Sequence, residues 1–153
     1  MKLSLSFSWV GVAVFALPML INIAYVIFPP AGEAEAPKNV ARWLEVVESV
    51  SRIAYLVVLT VWVSSDPPDR KSVWLMLAAV FLLLYYIVWI RYFSGGRDIA
   101  LLKKPFLFVP VPLAVFPVLY YLFAAIWMGN YPAAVMMIVF GAAHITVSVQ
   151  SFH

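Results

Sequence analysis

Five stretches of about twenty mostly apolar residues follow one another along this chain of 153 residues. An α-helix rises about 1.5 Å per residue, so a helix of that length crosses a hydrocarbon core of about 30 Å. Apolar residues make up 65% of the chain and charged residues 11%, which excludes a water-soluble globular domain. The sequence therefore predicts an all-α integral membrane protein, a single domain with five transmembrane helices at residues 8–28, 44–63, 73–93, 106–128 and 132–152.

Proline and glycine mark the breaks between these spans, because proline lacks a backbone donor and glycine often ends helices. The first half of the fourth span contains four prolines: Pro105, Pro110, Pro112 and Pro117. An interior proline leaves the carbonyl one turn earlier without its donor, and at membrane depth that carbonyl must face protein, water or a cavity. We expect a fourth helix that is broken by prolines and lines a binding site.

The tryptophans support the proposed boundaries. All six fall near an end of a predicted span: Trp9, Trp43, Trp62, Trp74, Trp89 and Trp127. Indole is amphipathic and prefers the headgroup region, so these positions predict an aromatic belt at each membrane surface.

The distribution of Lys and Arg predicts the orientation. Six of them lie on the side that holds the first loop, the third loop and the C-terminus, namely Lys38, Arg42, Arg91, Arg97, Lys103 and Lys104. The other side has three, namely Lys2, Arg70 and Lys71. Because cytoplasmic loops are enriched in Lys and Arg, we expect a multi-pass protein of the cell membrane with its N-terminus outside and its C-terminus in the cytoplasm.

The second span contains an unusual polar stripe. Lys38, Arg42, Glu45, Glu48 and Arg52 recur at spacings of four, three, three and four residues, which places them on one helical face. Counted from residue 44 at about 1.5 Å per residue, Arg52 lies roughly 12 Å below the membrane surface. Polar side chains at such depth mark either a functional site or a buried ion pair that holds the bundle together.

Polar residues on other spans reach a similar depth in the cytoplasmic half. His144 comes out at roughly 12 Å and Asn22 at about 9 Å by the same count, with Tyr85 and Tyr86 at a comparable level. We predict a ligand site in this layer, formed by Asn22, Glu48, Arg52, Tyr55, Tyr85, Tyr86 and His144. In this hypothesis Arg52 binds an anionic group, Glu48 orients Arg52, His144 donates or relays a proton, and the tyrosines supply apolar walls.

The third loop collects cations beside two glycines. Arg91, Arg97, Lys103 and Lys104 are candidates for binding a lipid headgroup or another anion, and the alternative is a glycine turn that only sets the orientation. The chain has no cysteine and two histidines, so we expect neither a metal site nor a cofactor. Its basic residues are few and scattered, which argues against nucleic acid as a partner.

Three stretches, at residues 90–98, 104–120 and 140–145, give the chain its resemblance to known proteins. They read I-R-Y-F-S-G-G-R-D, K-P-F-L-F-V-P-V-P-L-A-V-F-P-V-L-Y and F-G-A-A-H-I. In these stretches the chain resembles small multi-span bacterial membrane proteins to which no activity is assigned. The resemblance implies a bacterial membrane and no mechanism.

Three functional hypotheses follow from these observations. The leading one is a protein of the lipid bilayer that binds or transports a small amphipathic or lipid-like ligand. The second is a non-catalytic accessory subunit whose polar stripe packs against a membrane protein partner or a second copy. The third is an intramembrane enzyme that uses His144 and Glu48 as acid and base.

Overall fold

Helices dominate the computed structural model, which describes residues 3–32, 40–64 and 68–152. In chain order the elements are β1 (Leu3–Leu5), α1 (Trp9–Ile27), α2 (Arg42–Val61), β2 (Trp62–Ser64), α3 (Val73–Ser94), α4 (Ala100–Lys103), α5 (Pro112–Trp127) and α6 (Tyr131–Phe152). The prediction of a mostly helical protein is confirmed. Lys2 and Lys38, which enter the charge count, lie outside the described residues.

The helix ends follow from local chemistry. The Ser8 hydroxyl accepts the Gly11 N–H at 2.9 Å and caps the start of α1. At the other end of the chain, the Asn130 side-chain oxygen accepts the Ala133 N–H at 3.1 Å and caps α6. Proline is well suited to the first turn of a helix, and α5 begins at Pro112.

A small antiparallel sheet departs from the all-α expectation. Strand β1 pairs with β2 in the register Leu3 to Ser64, and the pairing continues through the Ser8 N–H, which donates to the Thr60 carbonyl at 2.8 Å. The Asn130 amide nitrogen donates to the Trp62 carbonyl at 2.6 Å. These bonds gather the start of α1, the end of α2 and the start of α6 at one end of the bundle, which we call the sheet end.

The opposite end of the bundle, which we call the loop end, contains the end of α1, the end of α3 and the start of α5. The Tyr92 hydroxyl donates to the Phe28 carbonyl at 3.4 Å, and the Ala31 N–H donates to the Arg97 carbonyl at 3.3 Å. Helices α1, α2, α3, α5 and α6 thus run alternately between the two ends. The closest packing is between α2 and α6, α3 and α5, and α5 and α6, while α1 contacts its neighbours at fewer points.

Three described helices are long and apolar enough to cross a membrane: Trp9–Ile27, Val73–Ser94 and Tyr131–Ser151. Helix α2 has the length but includes Glu45, Glu48 and Arg52, and α5 has 16 residues. The fourth predicted span began at residue 106, but residues 106–111 precede the helix, and Pro117 lies inside it. The five-span count and the broken fourth helix therefore stay predictions.

Candidate ligand cavity

A cavity of about 250 Å³ lies among α1, α2, α3, α5 and α6. Five of the seven residues predicted for the ligand site line it, namely Asn22, Arg52, Tyr55, Tyr85 and His144. Glu48 contacts the cavity through His144, whereas Tyr86 is outside the lining. The other lining residues are mainly apolar: Phe15, Met19, Trp89, Leu113, Pro117, Tyr121, Met137 and Phe140.

Arg52 brings a positive charge to the cavity wall. It lies on α2 one turn after Glu48, a spacing that favours an ion pair within the helix. However, no carboxylate in residues 3–32, 40–64 and 68–152 forms an ion pair with Arg52. The predicted role of Glu48 in orienting Arg52 therefore has no contact to support it there.

Glu48 instead pairs with His144 across the α2–α6 interface. The Glu48 Oε1 lies 3.0 Å from the His144 Nδ1, and both side chains are largely buried. The Phe140 ring stacks on the imidazole with ring centroids 4.9 Å apart. A carboxylate acceptor at Nδ1 favours a proton on that nitrogen, so Nε2 is the atom of the ring that remains for other partners.

Asn22 and Tyr85 form a second polar pair. The Tyr85 hydroxyl donates to the Asn22 Oδ1 at 2.8 Å, and the Asn22 Nδ2 is 3.9 Å from the Met19 sulfur, a weak acceptor. The Asn22 side-chain oxygen thus accepts a hydrogen bond, whereas its N–H groups have only the weak Met19 acceptor among the described residues. Tyr85 is therefore a hydrogen-bond donor as well as the apolar wall that we predicted.

The other predicted tyrosines also use their hydroxyls inside the protein. The Tyr55 hydroxyl donates to the Tyr121 carbonyl at 2.9 Å, and the side chain is 1% exposed. The Tyr86 hydroxyl donates to the Leu17 carbonyl at 2.6 Å, on the α1 side of α3. Tyr55 forms part of the cavity wall, while Tyr86 fastens α3 to α1.

Trp89 and Pro117 line the cavity but are not among the seven residues predicted for the ligand site. Trp89 is 5% exposed and packs between Tyr25 and Phe93, although its position near the end of a span suggested an interfacial belt. Four other tryptophans are well exposed, as the belt predicts: Trp9, Trp43, Trp62 and Trp74.

Pro117 has no N–H for the Leu113 carbonyl, and both residues line the cavity. The proline run was the available signal for this wall.

The cations of the third loop differ in their surroundings. The Arg91 guanidinium donates to the backbone carbonyls of Leu101, Lys104 and Pro105, and it lies 5.7 Å from the centre of the Phe106 ring. Arg91 therefore holds the chain between α3 and α5 in place. Binding of an anion by Arg97, Lys103 and Lys104 together with Arg91 stays a prediction.

Within the described ranges, no group of three or more His, Asp or Glu side chains could hold a metal ion. Comparison with protein-family models, with curated proteins and with solved structures found no match to this chain. The case for a function therefore depends on the cavity and on the residues that line it.

Proposed function

We propose that this chain is a five-span protein of the cell membrane that binds or transports a small amphipathic or lipid-like ligand in its cavity. The observation that carries the proposal is the meeting of five helices around one cavity, with Arg52 on its wall and no carboxylate partner for Arg52 in the described part of the chain. Such a site joins a cation to apolar walls, which suits a ligand with an anionic group and an apolar body.

The two faces of α2 support its crossing the membrane. Val50, Ile53 and Val57 are each more than half exposed on its outer face, whereas Glu48 and Arg52 point toward α6 and the cavity. An arginine facing lipid at mid-helix costs about 2.5–3.5 kcal/mol, and this cost falls when the charge faces a cavity. An outer face of exposed apolar side chains is the pattern expected of a helix in lipid, and Arg52, which is itself exposed, lines the cavity.

The position of α5 within the bundle supports the proposal that this helix also crosses the membrane. Its 16 residues span about 24 Å, less than a hydrocarbon core of about 30 Å. Half of these residues are buried, because α5 packs against α3 on one side and α6 on the other. A central helix makes little contact with lipid, so the helices around α5 determine the local thickness of the hydrocarbon core. Residues 106–111, which precede α5, cover the rest of that thickness.

The loop end carries most of the described Lys and Arg residues outside the cavity, which supports its placement in the cytoplasm. With that orientation the N-terminus is outside and the cavity opens in the cytoplasmic half. Arg52 binds the anionic group of the ligand. His144, which Glu48 holds at Nδ1, donates or relays a proton through Nε2.

Substitution of Arg52 tests this function. We expect Arg52→Ala to lose small molecules that co-purify with the wild-type protein from native membranes, as measured by mass spectrometry, while the protein stays folded in detergent. Arg42→Ala is the matched control, because Arg42 lies on the same helix but outside the cavity lining. Retention of the same molecules by Arg52→Ala would contradict the proposal. Unfolding of both Arg52→Ala and Arg52→Lys would instead favour a structural role for the Arg52 guanidinium.

The Glu48–His144 contact favours a second candidate, an intramembrane enzyme in which His144 acts as acid or base. A carboxylate at 3.0 Å holds the ring in one orientation, which is an arrangement that general acid–base catalysis uses. If this is the function, His144→Ala alters the membrane metabolites of the cell in the same way as deletion of the gene. Unchanged metabolites in both strains would exclude it.

A further inference from the structure

The volume of the cavity limits the size of its ligand. A volume of about 250 Å³, at roughly 30 Å³ for each water-sized group, holds on the order of eight non-hydrogen atoms. Two long acyl chains need several times that space. The cavity therefore suits a compact molecule better than an intact phospholipid.

The hydrogen bonds around the cavity limit the chemistry of the ligand. The Tyr85 hydroxyl already occupies the Asn22 Oδ1, so Asn22 presents its amide N–H groups, whose one described partner is the weakly accepting Met19 sulfur at 3.9 Å. Arg52 can only donate. Three side chains of the lining thus offer donors: Arg52, which is a cation, Asn22, and Trp89, whose buried Nε1–H has no hydrogen-bond partner among the described residues.

The acidic group nearest the cavity forms no ion pair with Arg52 in the described part of the chain. Glu48 directs its carboxylate at the His144 Nδ1, 3.0 Å away. The Leu113 carbonyl, which Pro117 leaves without a helical donor, is a neutral acceptor that a water molecule can satisfy. The polar part of the wall therefore favours an anion over a cation or a neutral alcohol.

Resting on the proposed function, we propose that the cavity selects a compact organic acid, whose carboxylate accepts hydrogen bonds from Arg52 and Asn22 and whose apolar body packs among Phe15, Met137 and Phe140. Tyr85 is the positioning residue of this site, because its hydroxyl turns the Asn22 amide so that N–H, and not C=O, meets the carboxylate. Carboxylate–donor bonds are the strong ones in a site of low dielectric, which gives Arg52 and Asn22 the largest share of the selectivity.

Three probes of nearly equal size and different charge test the proposal: hexanoate, hexanol and hexylammonium. Binding is measured by isothermal titration calorimetry to the full-length protein in nanodiscs of phosphatidylcholine. We expect hexanoate to bind at least about tenfold more tightly than hexanol, and hexylammonium to bind more weakly than both. Arg52→Gln abolishes this preference and Arg52→Lys retains part of it.

The positioning role has its own readout. Tyr85→Phe removes one hydroxyl, and we expect it to lower the hexanoate to hexanol preference severalfold with little change for hexanol. The matched control is Tyr86→Phe, which removes a neighbouring hydroxyl that bonds the Leu17 carbonyl outside the cavity lining. Equal effects of both substitutions on the preference would overturn the role of Tyr85.

The remaining outcomes separate this inference from the proposed function. Hexanol or hexylammonium binding as tightly as hexanoate would overturn selection of an acid and leave the proposed function in place. Displacement of hexanoate by dioleoyl phosphatidic acid added to the nanodiscs would identify a lipid headgroup as the source of the anion and overturn the compact ligand. If none of the four molecules binds, both the inference and the proposed function are wrong.

Discussion

Pro18 creates a defect in α1 that Tyr120 repairs. Pro18 has no N–H, so the Val14 carbonyl, four residues earlier, loses its helical donor. The Tyr120 hydroxyl donates to this carbonyl at 2.8 Å, and both Val14 and Tyr120 are more than nine-tenths buried. Tyr120→Phe therefore leaves a buried acceptor unsatisfied, which costs about 1–3 kcal/mol in the free energy of unfolding.

Tyr121 supplies a matched control on the same helix. Its hydroxyl donates to the Phe15 carbonyl at 2.9 Å, but Met19, four residues after Phe15, has an N–H to satisfy that carbonyl within the helix. We expect Tyr121→Phe to cost only about 0.6 kcal/mol, the average for a polar bond between membrane helices. The costs of the same chemical change on neighbouring residues should thus differ by about 0.4–2.4 kcal/mol.

A double-mutant cycle isolates the repair from other effects. Pro18→Ala restores an N–H to the Val14 carbonyl, so in that background the cost of Tyr120→Phe should fall to about that of Tyr121→Phe. The free energy of unfolding is measured by titration with sodium dodecyl sulfate in mixed micelles and followed by circular dichroism. Equal costs for the two tyrosine substitutions, or an unchanged cost of Tyr120→Phe in the Pro18→Ala background, would refute the reasoning.

Two further predictions concern helix packing and orientation. A Cβ added at Gly11 would lie 2.5 Å from the Leu59 carbonyl oxygen, so Gly11→Ala should lower the free energy of unfolding by about 1–3 kcal/mol. The control is Gly32→Ala, whose added Cβ meets no atom within 4 Å and should change the free energy of unfolding by less than about 0.5 kcal/mol. Similar values for the two substitutions would contradict the close approach of α1 to α2. Because the chain has no cysteine, Asp69→Cys and Ser94→Cys introduce single labelling sites without altering the Lys and Arg count. A membrane-impermeant maleimide should label the first in intact cells and the second only after permeabilisation, and the reverse pattern would show the opposite orientation.

The sequence predicted the positions of most helices because proline, glycine and capping residues act locally. The predicted span at 8–28 corresponds to α1 at Trp9–Ile27, and the predicted span at 132–152 corresponds to α6 at Tyr131–Phe152. Residues 106–111 were assigned to a span because they are apolar, but Leu107 and Phe108 adopt the left-handed conformation there, which no helix accommodates. Hydropathy measures how apolar a segment is, but it does not show whether the backbone of that segment forms the hydrogen bonds of a helix.

The partners of the polar residues were harder to predict. Helical periodicity placed Glu48 and Arg52 on one face and depth placed His144 in the same layer, and the structure brings Arg52 and His144 to one cavity. Periodicity within one helix could not show that Glu48 would turn to His144 on α6, because that choice depends on how α2 and α6 are rotated against each other. Trp89 illustrates the same limit, since depth does not distinguish a lipid-facing indole from one that packs inside.

The attachment of α1 shows why its partners cannot be read from residue types. Lipid tails are as apolar as leucine side chains, so apolar contact alone contributes little to the association of a membrane helix with its bundle. Tyrosines of α3 and α5 hold α1 by hydrogen bonds to the carbonyls of Val14, Phe15 and Leu17. Every residue has a carbonyl, so only the fold selects which ones are used. These three carbonyls lie within the four residues before Pro18, which has no backbone N–H, and Asn22 of the cavity wall lies one turn after Pro18. The tyrosine bonds that hold α1 therefore also position the wall on which binding of the ligand depends.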